Sequence, residues 1–241
     1  MKLSTAYISD IGGREKNDDT VHMMPQPDGI CVFVGDGLGG YDGGRIASST
    51  AANTIEKCRK DGSFLDENQM QKATVLANEA VYEQQKSRRG QMKTTLVVLS
   101  IEGEEARWMH VGDSRLYHFT DGKLRCQTMD HSVSQVAVLM GEITQNEIRF
   151  HEDRNRVLRA LGSENAKPDI SPLHKLSAKR DAFLLCTDGF WEYVYENEME
   201  QSLEKAENPQ QWLDEMLKLL KVRVPKDHDN FSAAVIFAER E

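Results

Sequence analysis

The chain has 241 residues, a length that suits one domain with a substantial core. Its 30 Lys and Arg against 39 Asp and Glu give a formal net charge of -9, which argues against nucleic acid as a partner. No apolar run approaches the ~18 residues that cross a membrane, and the first residues lack the apolar segment of a secretion signal. We therefore expect a soluble, cytoplasmic protein without a membrane partner.

The cysteines and the absence of linkers indicate the same class of protein. Cys31, Cys58, Cys126 and Cys186 form no Cys-x-x-Cys pair, and three of them lie in apolar, strand-like runs. This pattern is typical of buried free thiols in a reducing compartment. We see no internal repeat and no Pro- or Ser-rich linker, which favours a single domain over residues 1–241.

The chain begins with a predicted strand, Leu3–Ser9, that leads into a polar loop. This loop contains Arg14 and the adjacent carboxylates Asp18 and Asp19. Such a charge cluster is usually a solvated loop, so its role depends on what the fold places beside it.

The stretch from Ile30 to Thr54 is the most informative part of the chain. An apolar run ends in a glycine-rich turn with one carboxylate, Asp36, and a helix of small residues follows from about Arg45. The glycine spacing partly fits a dinucleotide-binding loop, but an Asp inside the loop would repel a pyrophosphate. Alternatively, Asp36 and the carbonyl of Gly37 offer oxygen ligands to a divalent cation. A plain glycine turn with a solvated Asp is the third interpretation.

The middle of the chain predicts two helices and then a β-rich region. The helices cover residues 47–59 and 69–86, with Asp66 or Asn68 as the cap of the second. The strands are predicted at residues 94–101, 106–111, 115–119 and 124–129, as an antiparallel meander with a hairpin turn at Asp121-Gly122. A second acidic loop, Gly112-Asp113-Ser114, interrupts it. Ser114 could also be an esterase nucleophile, although no positioned base accompanies it.

The remaining chain alternates between helical and strand-like segments. We predict a largely helical insert, with helices at residues 133–140, 143–148 and 154–161, then strands at 169–176 and 182–187, and then helices at 191–195, 196–203 and 209–222. The strand that ends before Asp188-Gly189 repeats the pattern of the strand before Asp36. A last acidic loop with Asp229 precedes the final strand.

All these acidic loops flank strand ends. If the sheets bring the ends together, the carboxylates cannot all remain ionised without cations between them. Because the available ligands are oxygen atoms, Mg²⁺ or Mn²⁺ fits better than Zn²⁺. Two such ions would activate water for attack on a phosphoryl group.

The order of these motifs closely resembles the metal-dependent serine/threonine protein phosphatases of the type 2C (PPM) family, in its compact bacterial form. The resemblance covers nearly the whole chain and is carried by Arg14 with Asn17-Asp18-Asp19, Val34-Gly35-Asp36-Gly37, Thr94-Thr95, Gly112-Asp113-Ser114-Arg115, Asp130-His131-Ser132, Arg159-Ala160-Leu161-Gly162, Thr187-Asp188-Gly189 and Asp229-Asn230. It implies an α+β fold of four αββα layers, in which two packed antiparallel sheets are flanked by helices. It also implies a flap-like insert at about residues 130–165.

The resemblance implies a role for each acidic loop. Asp36 would bridge two metal ions, with the Gly37 carbonyl on one ion and Asp188 and Asp229 on the other. Further residues would support this centre: Asp18 and Asp19 through water, Asp113 as ligand of a third ion, and Arg14 as the group that binds the substrate phosphate.

The implied reaction is hydrolysis of phosphoserine and phosphothreonine by water activated at two Mn²⁺ or Mg²⁺ ions, without a phosphoenzyme. The expected partners are phosphorylated proteins, either targets of a Ser/Thr kinase or the kinase itself, and the enzyme is expected to be a monomer. The alternative is a catalytically inactive binding module of the same fold. Lys93 departs from the family, which often has a glycine before the two threonines, and Leu38 stands where some members carry a histidine.

Overall fold

The computed structural model describes residues 1–40, 42–176 and 178–240. The strands in these residues are β1 (Lys2–Asp10), β2 (Thr20–Gln26), β3 (Gly29–Gly35), β4 (Gly37–Leu38), β5 (Lys93–Thr94), β6 (Leu96–Glu102), β7 (Glu105–Val111), β8 (Arg115–Thr120), β9 (Lys123–Gln127), β10 (Asp169–Ile170), β11 (His174–Lys175), β12 (Arg180–Cys186) and β13 (Phe231–Glu239). The α-helices are α1 (Gly43–Asp61), α2 (Glu67–Arg88), α3 (Val133–Leu139), α4 (Asp188–Trp191), α5 (Glu196–Lys205) and α6 (Pro209–Arg223), and a 3-10 helix covers Gln145–Phe150.

Two antiparallel sheets form the centre of the fold. One sheet has the strand order β1-β13-β12-β8-β9, and the other has the order β10-β7-β6-β3-β2, with β11 also beside β7. The separate pair β4 and β5 lies next to the glycine-rich loop after β3. All the strand pairs are antiparallel, as the sequence predicted.

The inner faces of the two sheets pack against each other through aliphatic and aromatic side chains. Val32 and Leu99 of one sheet share a buried cluster with Phe183, Leu185 and Ile236 of the other. Side chains alternate between the two faces of a strand, so the neighbouring residues of each strand are available to contact a helix on the outer face.

Helices cover both outer faces. Ile55 of α1 and Met70 of α2 pack on Phe33 of β3. On the opposite side, Trp212 of α6 packs with Leu184 of β12 in the cluster that also includes α5. The layers are therefore helix, sheet, sheet and helix, and the predicted four-layer fold is confirmed.

The prediction of one meander from residue 94 to residue 129 is wrong. β6 and β7 form a hairpin in one sheet, whereas β8 and β9 form a hairpin in the other. The chain crosses between the sheets at Gly112-Asp113-Ser114. The turn at Asp121-Gly122 is as predicted, with both residues at positive φ. β2 was not predicted from the sequence.

The helix predicted at residues 191–195 is displaced, because α4 begins at Asp188 and ends at Trp191. Two other predictions failed where tertiary contacts override local composition. The segment Arg154–Leu161 is not helical, because its backbone pairs with other segments: Thr94 and Leu161 exchange two hydrogen bonds, and Val133 N–H donates to Arg156 O. The strand predicted at residues 169–176 is divided into β10 and β11 around Pro172, which has no N–H to donate.

The antiparallel register brings several loops to one edge of the sheets. β3, β7 and β12 end at this edge, and β8 and β13 begin there. The loops that follow or precede these strands contain Asp36, Asp113, Asp188 and Asp229. The edge therefore collects the acidic residues that the sequence distributes over nearly two hundred positions.

None of the helices within the described residues combines the length and the apolar character that a transmembrane helix needs. The four cysteine thiols are free, and Cys31, Cys58 and Cys186 are buried.

The core between the sheets should dominate stability. Leu185→Ala removes a fully buried side chain, whereas Leu139→Ala changes a leucine that is 71% exposed. We expect Leu185→Ala to lower the free energy of unfolding by about 2–5 kcal/mol, and Leu139→Ala to change it by about 0.5 kcal/mol or less. Urea denaturation of both variants measures the difference, and equal effects would contradict the packing described here.

Candidate active site

An open cleft of about 560 Å³ lies at the edge where the acidic loops meet. The predicted site residues that line it are Arg14, Asp18, Asp36, Gly37, Asp113, Asp188 and Asp229. Asp19 is buried behind the cleft, where its carboxylate accepts a hydrogen bond of 2.9 Å from Thr187 Oγ1. The fold thus brings every predicted site residue to the cleft or directly behind it.

The backbone of Asp36 is held by two adjacent threonines. Asp36 N–H donates to Thr95 Oγ1 at 2.8 Å, and the Asp36 carbonyl accepts from Thr95 N–H and Thr94 Oγ1, both at 2.9 Å. Thr94 and Thr95 contributed to the sequence resemblance without an assigned role. Their role is to fix the loop that carries Asp36.

Two glycines allow the Asp36 loop to approach helix α1. A Cβ on Gly37 would lie 2.2 Å from the Gly44 carbonyl oxygen, and a Cβ on Gly44 would lie 2.3 Å from that of Gly37. The same helix end holds Asp18, whose Oδ1 accepts from Arg45 N–H at 3.1 Å. The close approach of the two backbones requires glycine at both positions. It places the loops that carry Asp18 and Asp36 on one side of the cleft.

Asn230 connects the acidic loops on the other side. Its Oδ1 accepts from Asp18 N–H, and its Nδ2 donates to the carbonyls of Ile11 and Lys16, each at 2.8 Å. A Cβ on Gly189 would lie 2.1 Å from the Asn230 carbonyl oxygen. Asn230 therefore ties the loop that contains Asp18 to the loop that contains Asp229, and its backbone lies against the loop that contains Asp188.

Burial and mutual repulsion disfavour ionisation of the clustered carboxyl groups. Burial, followed by the charges of neighbouring aspartates, raises the pKa of Asp36 and of Asp188 well above the ordinary value. Burial also raises the pKa of Asp19 to about 7 and that of Asp113 to about 7. A cation placed among these groups would relieve both effects.

The carboxylate of Asp113 has an oxygen atom that no hydrogen bond from the described part of the chain satisfies. Its side chain is buried, and Oδ1 has no hydrogen-bond partner among the described residues. A buried carboxylate oxygen without a donor is costly unless it binds a cation. The ligands around the cleft are all oxygen atoms, so Mg²⁺ or Mn²⁺ fits this donor set.

A buried network supports the Asp113 loop from behind. Trp191 Nε1 donates to the Asp113 carbonyl at 2.9 Å, and the Arg115 guanidinium lies 3.5 Å from the centre of the Trp191 ring. Arg115 forms a bidentate pair with Asp130 at 2.8 and 2.7 Å. The sequence did not predict the hydrogen bond from Trp191 to the Asp113 loop.

Arg14 lies in the cleft and contacts a predicted metal ligand. Its guanidinium donates to both carboxylate oxygens of Asp229, at 3.1 and 2.9 Å. The two side chains are 54% and 51% exposed, so the pair is accessible to solvent and to an incoming phosphate. Nearby, Lys16 pairs with Asp42 at 2.8 Å.

A second group with metal-binding side chains lies beside the cleft. His110, His131 and Asp169 offer ligand atoms within 4.8 Å of one another. However, His131 Nδ1 accepts a hydrogen bond from Gly112 N–H at 3.1 Å, which leaves that nitrogen no lone pair for a metal. Its Nε2 lies 3.2 Å from Asp169 Oδ2 and 3.3 Å from Arg159 Nη1. His131 therefore anchors the residue before Asp113.

The structure also decides between the alternatives for two sequence motifs. Ser114 is 1% exposed and shares a hydrogen bond of 2.6 Å with Thr95, so it is not available as an esterase nucleophile. The strand before Asp36 lies in an antiparallel sheet, whereas a dinucleotide-binding loop joins a parallel strand to its helix. The metal-loop interpretation of Asp36 agrees with this geometry.

Binding of divalent cations in the cleft should relieve the repulsion between its carboxylates. Because the folded-state pKa of Asp36 lies above its unfolded value, the ionised group destabilises the metal-free fold near pH 7. We expect saturating Mn²⁺, at about 100 times Kd, to stabilise the protein by about 2.7 kcal/mol. Asp36→Asn should reduce this gain while leaving the metal-free protein at least as stable.

Thermal denaturation in EDTA and in Mn²⁺ measures both effects. The matched control is Asp214→Asn, which changes an exposed aspartate of α6 and should keep the full Mn²⁺ response. An unchanged Mn²⁺ response in Asp36→Asn would show that the ion binds elsewhere.

The sequence matches the family model of protein phosphatase 2C over residues 9–228. The serine/threonine phosphatase stp of Listeria monocytogenes is 31% identical over 198 residues, which cover 79% of this chain and 78% of the relative.

Solved structures agree with the sequence match. The serine/threonine phosphatase PstP of Mycobacterium tuberculosis is 27% identical, with a TM-score of 0.86 and coverage of 100% of both chains. A structure of the PstP catalytic domain in complex with two manganese ions is 26% identical, with a TM-score of 0.84 and coverage of 99% of both chains. Because the match in sequence and in fold extends over most of the chain, this protein belongs to the protein phosphatase 2C family.

Proposed function

We propose that this protein hydrolyses phosphoserine and phosphothreonine in proteins, using two divalent cations and no phosphoenzyme. The observation that carries the proposal is the convergence of Asp36, Asp188 and Asp229 in one open cleft together with Arg14. The cleft offers oxygen ligands for cations and a guanidinium for a phosphate. The PstP structure with two manganese ions supports Mn²⁺ or Mg²⁺ as the cofactor.

The proposed ligands are those that the family resemblance implies. Asp36 would contact both cations, the Gly37 carbonyl would complete one site, and Asp188 and Asp229 would complete the other. Asp18 and Asp19 would act through water, and Asp113 would hold a third ion. When bound, divalent cations supply Lewis acidity, which lowers the pKa of water and stabilises negative charge on a phosphoryl group.

Other residues of this chain position the substrate phosphate and the loop that carries Asp36. Arg14 has a planar donor fork that matches two phosphate oxygens, and its half-exposed position lets a phosphate replace the contact with Asp229. Thr94 and Thr95 keep the Asp36 loop in place while the substrate binds and leaves.

Direct attack by water is favoured because the nucleophilic side chains near the cleft are buried. Ser114 is hydrogen-bonded to Thr95, and Cys186 is buried at the end of β12. Burial raises the pKa of the Cys186 thiol, so the thiolate that would attack phosphorus is disfavoured.

The substrate class comes from the relatives. The Listeria and Mycobacterium proteins are named as serine/threonine phosphatases. We propose phosphorylated proteins as substrates, either targets of a Ser/Thr kinase or the kinase itself, with a monomeric enzyme in the cytoplasm. Each proposed ligand position retains an oxygen ligand, so an inactive binding module has no observation in its favour.

Turnover should require both the cations and their carboxylate ligands. We expect release of phosphate from a phosphothreonine peptide in Mn²⁺, and loss of that activity in excess EDTA. Asp36→Asn and Asp229→Asn should each abolish turnover while circular dichroism shows an intact fold. Asp214→Asn should remain active. Full activity in EDTA, or a phosphoryl group trapped on the protein, would refute the mechanism.

Arg14 should contribute through the substrate phosphate. We expect Arg14→Ala to weaken phosphate binding by about 1.5–3 kcal/mol, the usual contribution of a charge-assisted hydrogen bond. Arg14→Lys should restore only part of this loss, because an ammonium group does not form the bidentate contact. Inhibition by inorganic phosphate and kcat/KM for a phosphopeptide measure the effect, with Arg88→Ala, at the exposed end of α2, as the control.

A further inference from the structure

A second groove adjoins the active-site cleft. It has a volume of about 530 Å³ and shares Leu38, Asn155 and Val157 with the cleft. Two basic residues, Lys93 and Arg156, line the part that does not belong to the cleft. A peptide whose phosphorylated residue occupies the cleft could therefore continue into this groove without a break.

Lys93 lies close to the loop that carries Asp36. It is paired with Leu38 across the β4–β5 ladder, and the next residue, Thr94, donates to the Asp36 carbonyl. Because Leu38 is two residues from Asp36, the Lys93 backbone lies about 7 Å along the strand direction from the Asp36 position, at about 3.3 Å per residue. An extended peptide covers this distance in two or three residues.

The charges in the groove differ from those in the cleft. In the cleft, Arg14 pairs with Asp229 and Lys16 pairs with Asp42. Of the described carboxylates, none lies within the 4.0 Å ion-pair distance of the exposed Lys93 ammonium group. Arg156 is 69% exposed and contacts Asp153 through one nitrogen, at 3.1 Å.

The lining of the groove has a small excess of positive charge. Among the described residues that line it, Glu164 is acidic, against Lys93 and Arg156. Such a position attracts an anionic group, although the chain as a whole has a net charge of -9.

We infer that Lys93 and Arg156 form a subsite for an acidic side chain of the substrate, two or three residues from the phosphorylated serine or threonine. The inference rests on the proposed phosphatase function and adds a substrate preference to it. It also gives a role to Lys93 at the position where the family often has a glycine.

The test uses matched phosphothreonine peptides of one length. A single Glu is placed two or three residues before or after the phosphothreonine, and each peptide has a counterpart with Gln. The readout is the ratio of kcat/KM for each Glu peptide to that for its Gln counterpart, in Mn²⁺. The enzymes are the wild type, Lys93→Met, Lys93→Glu, Arg156→Met and, as a matched control, Lys86→Met, which changes a lysine of α2 that is 71% exposed.

The wild type should prefer at least one Glu peptide by about threefold to fivefold, as expected for a solvent-exposed ion pair. Lys93→Met should bring the ratio close to one, Lys93→Glu should bring it below one, and Arg156→Met should lower it in part. Lys86→Met should keep the wild-type ratio. The preference should also weaken in 1 M NaCl, where the Debye length is about 3 Å.

Two results would overturn the inference while the phosphatase function stands. These are equal rates on all Glu and Gln peptides by an active wild-type enzyme, and a wild-type ratio in Lys93→Met. Hydrolysis of p-nitrophenyl phosphate, which has no flanking residues, shows that the active site of each enzyme works. If no enzyme hydrolyses this compound or any peptide in Mn²⁺, the proposed function itself fails, and the subsite fails with it.

Discussion

Repulsion between carboxylates at one edge of the sheets is the constraint on which the rest of the structure depends. Burial and neighbouring charge raise the pKa values of Asp36, Asp188, Asp19 and Asp113, so the site opposes folding as long as no cation is bound. The fold tolerates this cost because the stabilising contacts lie elsewhere, in the core between the sheets and beneath the helices. Because the carboxylates of the site repel one another, the binding of divalent cations is correspondingly more favourable.

The positions of the carboxylates are set mainly by backbone contacts. Thr94 and Thr95 bind the peptide groups of Asp36, Asn230 binds three backbone groups of the loop between β1 and β2, and Gly37 and Gly44 let two backbones touch. Backbone contacts of this kind leave the carboxylate oxygens available to ligands while limiting their movement. Metal sites need such support, because a ligand that is displaced by an ångström loses much of its function.

The sequence predicted the apolar strands that precede Asp36 and Asp188, and with them the loops that carry these two residues. It did not predict that the chain crosses between sheets at Asp113, because both hairpins have the same alternating pattern and only tertiary packing assigns them to a sheet. It also predicted a helix where residues 154–161 pair with other segments. The roles of Thr94 and Thr95 depend on the β4–β5 pairing, which two-residue strands do not signal in a sequence. The identities of the metal ligands came from the family resemblance, and they stay a prediction.

Strand β5 has two functions. Successive side chains of a strand point to opposite sides, so each function belongs to a different residue. Thr94 is buried and binds the Asp36 loop, whereas Lys93, one residue earlier, is exposed in the adjoining groove. A change at Lys93 therefore alters what the groove attracts without removing a contact to the Asp36 carbonyl. The segment after Asn155 borders both the cleft and the groove and pairs with β5 through Leu161. Substrate preference can thus vary along this boundary while the carboxylates, which tolerate little movement, stay fixed.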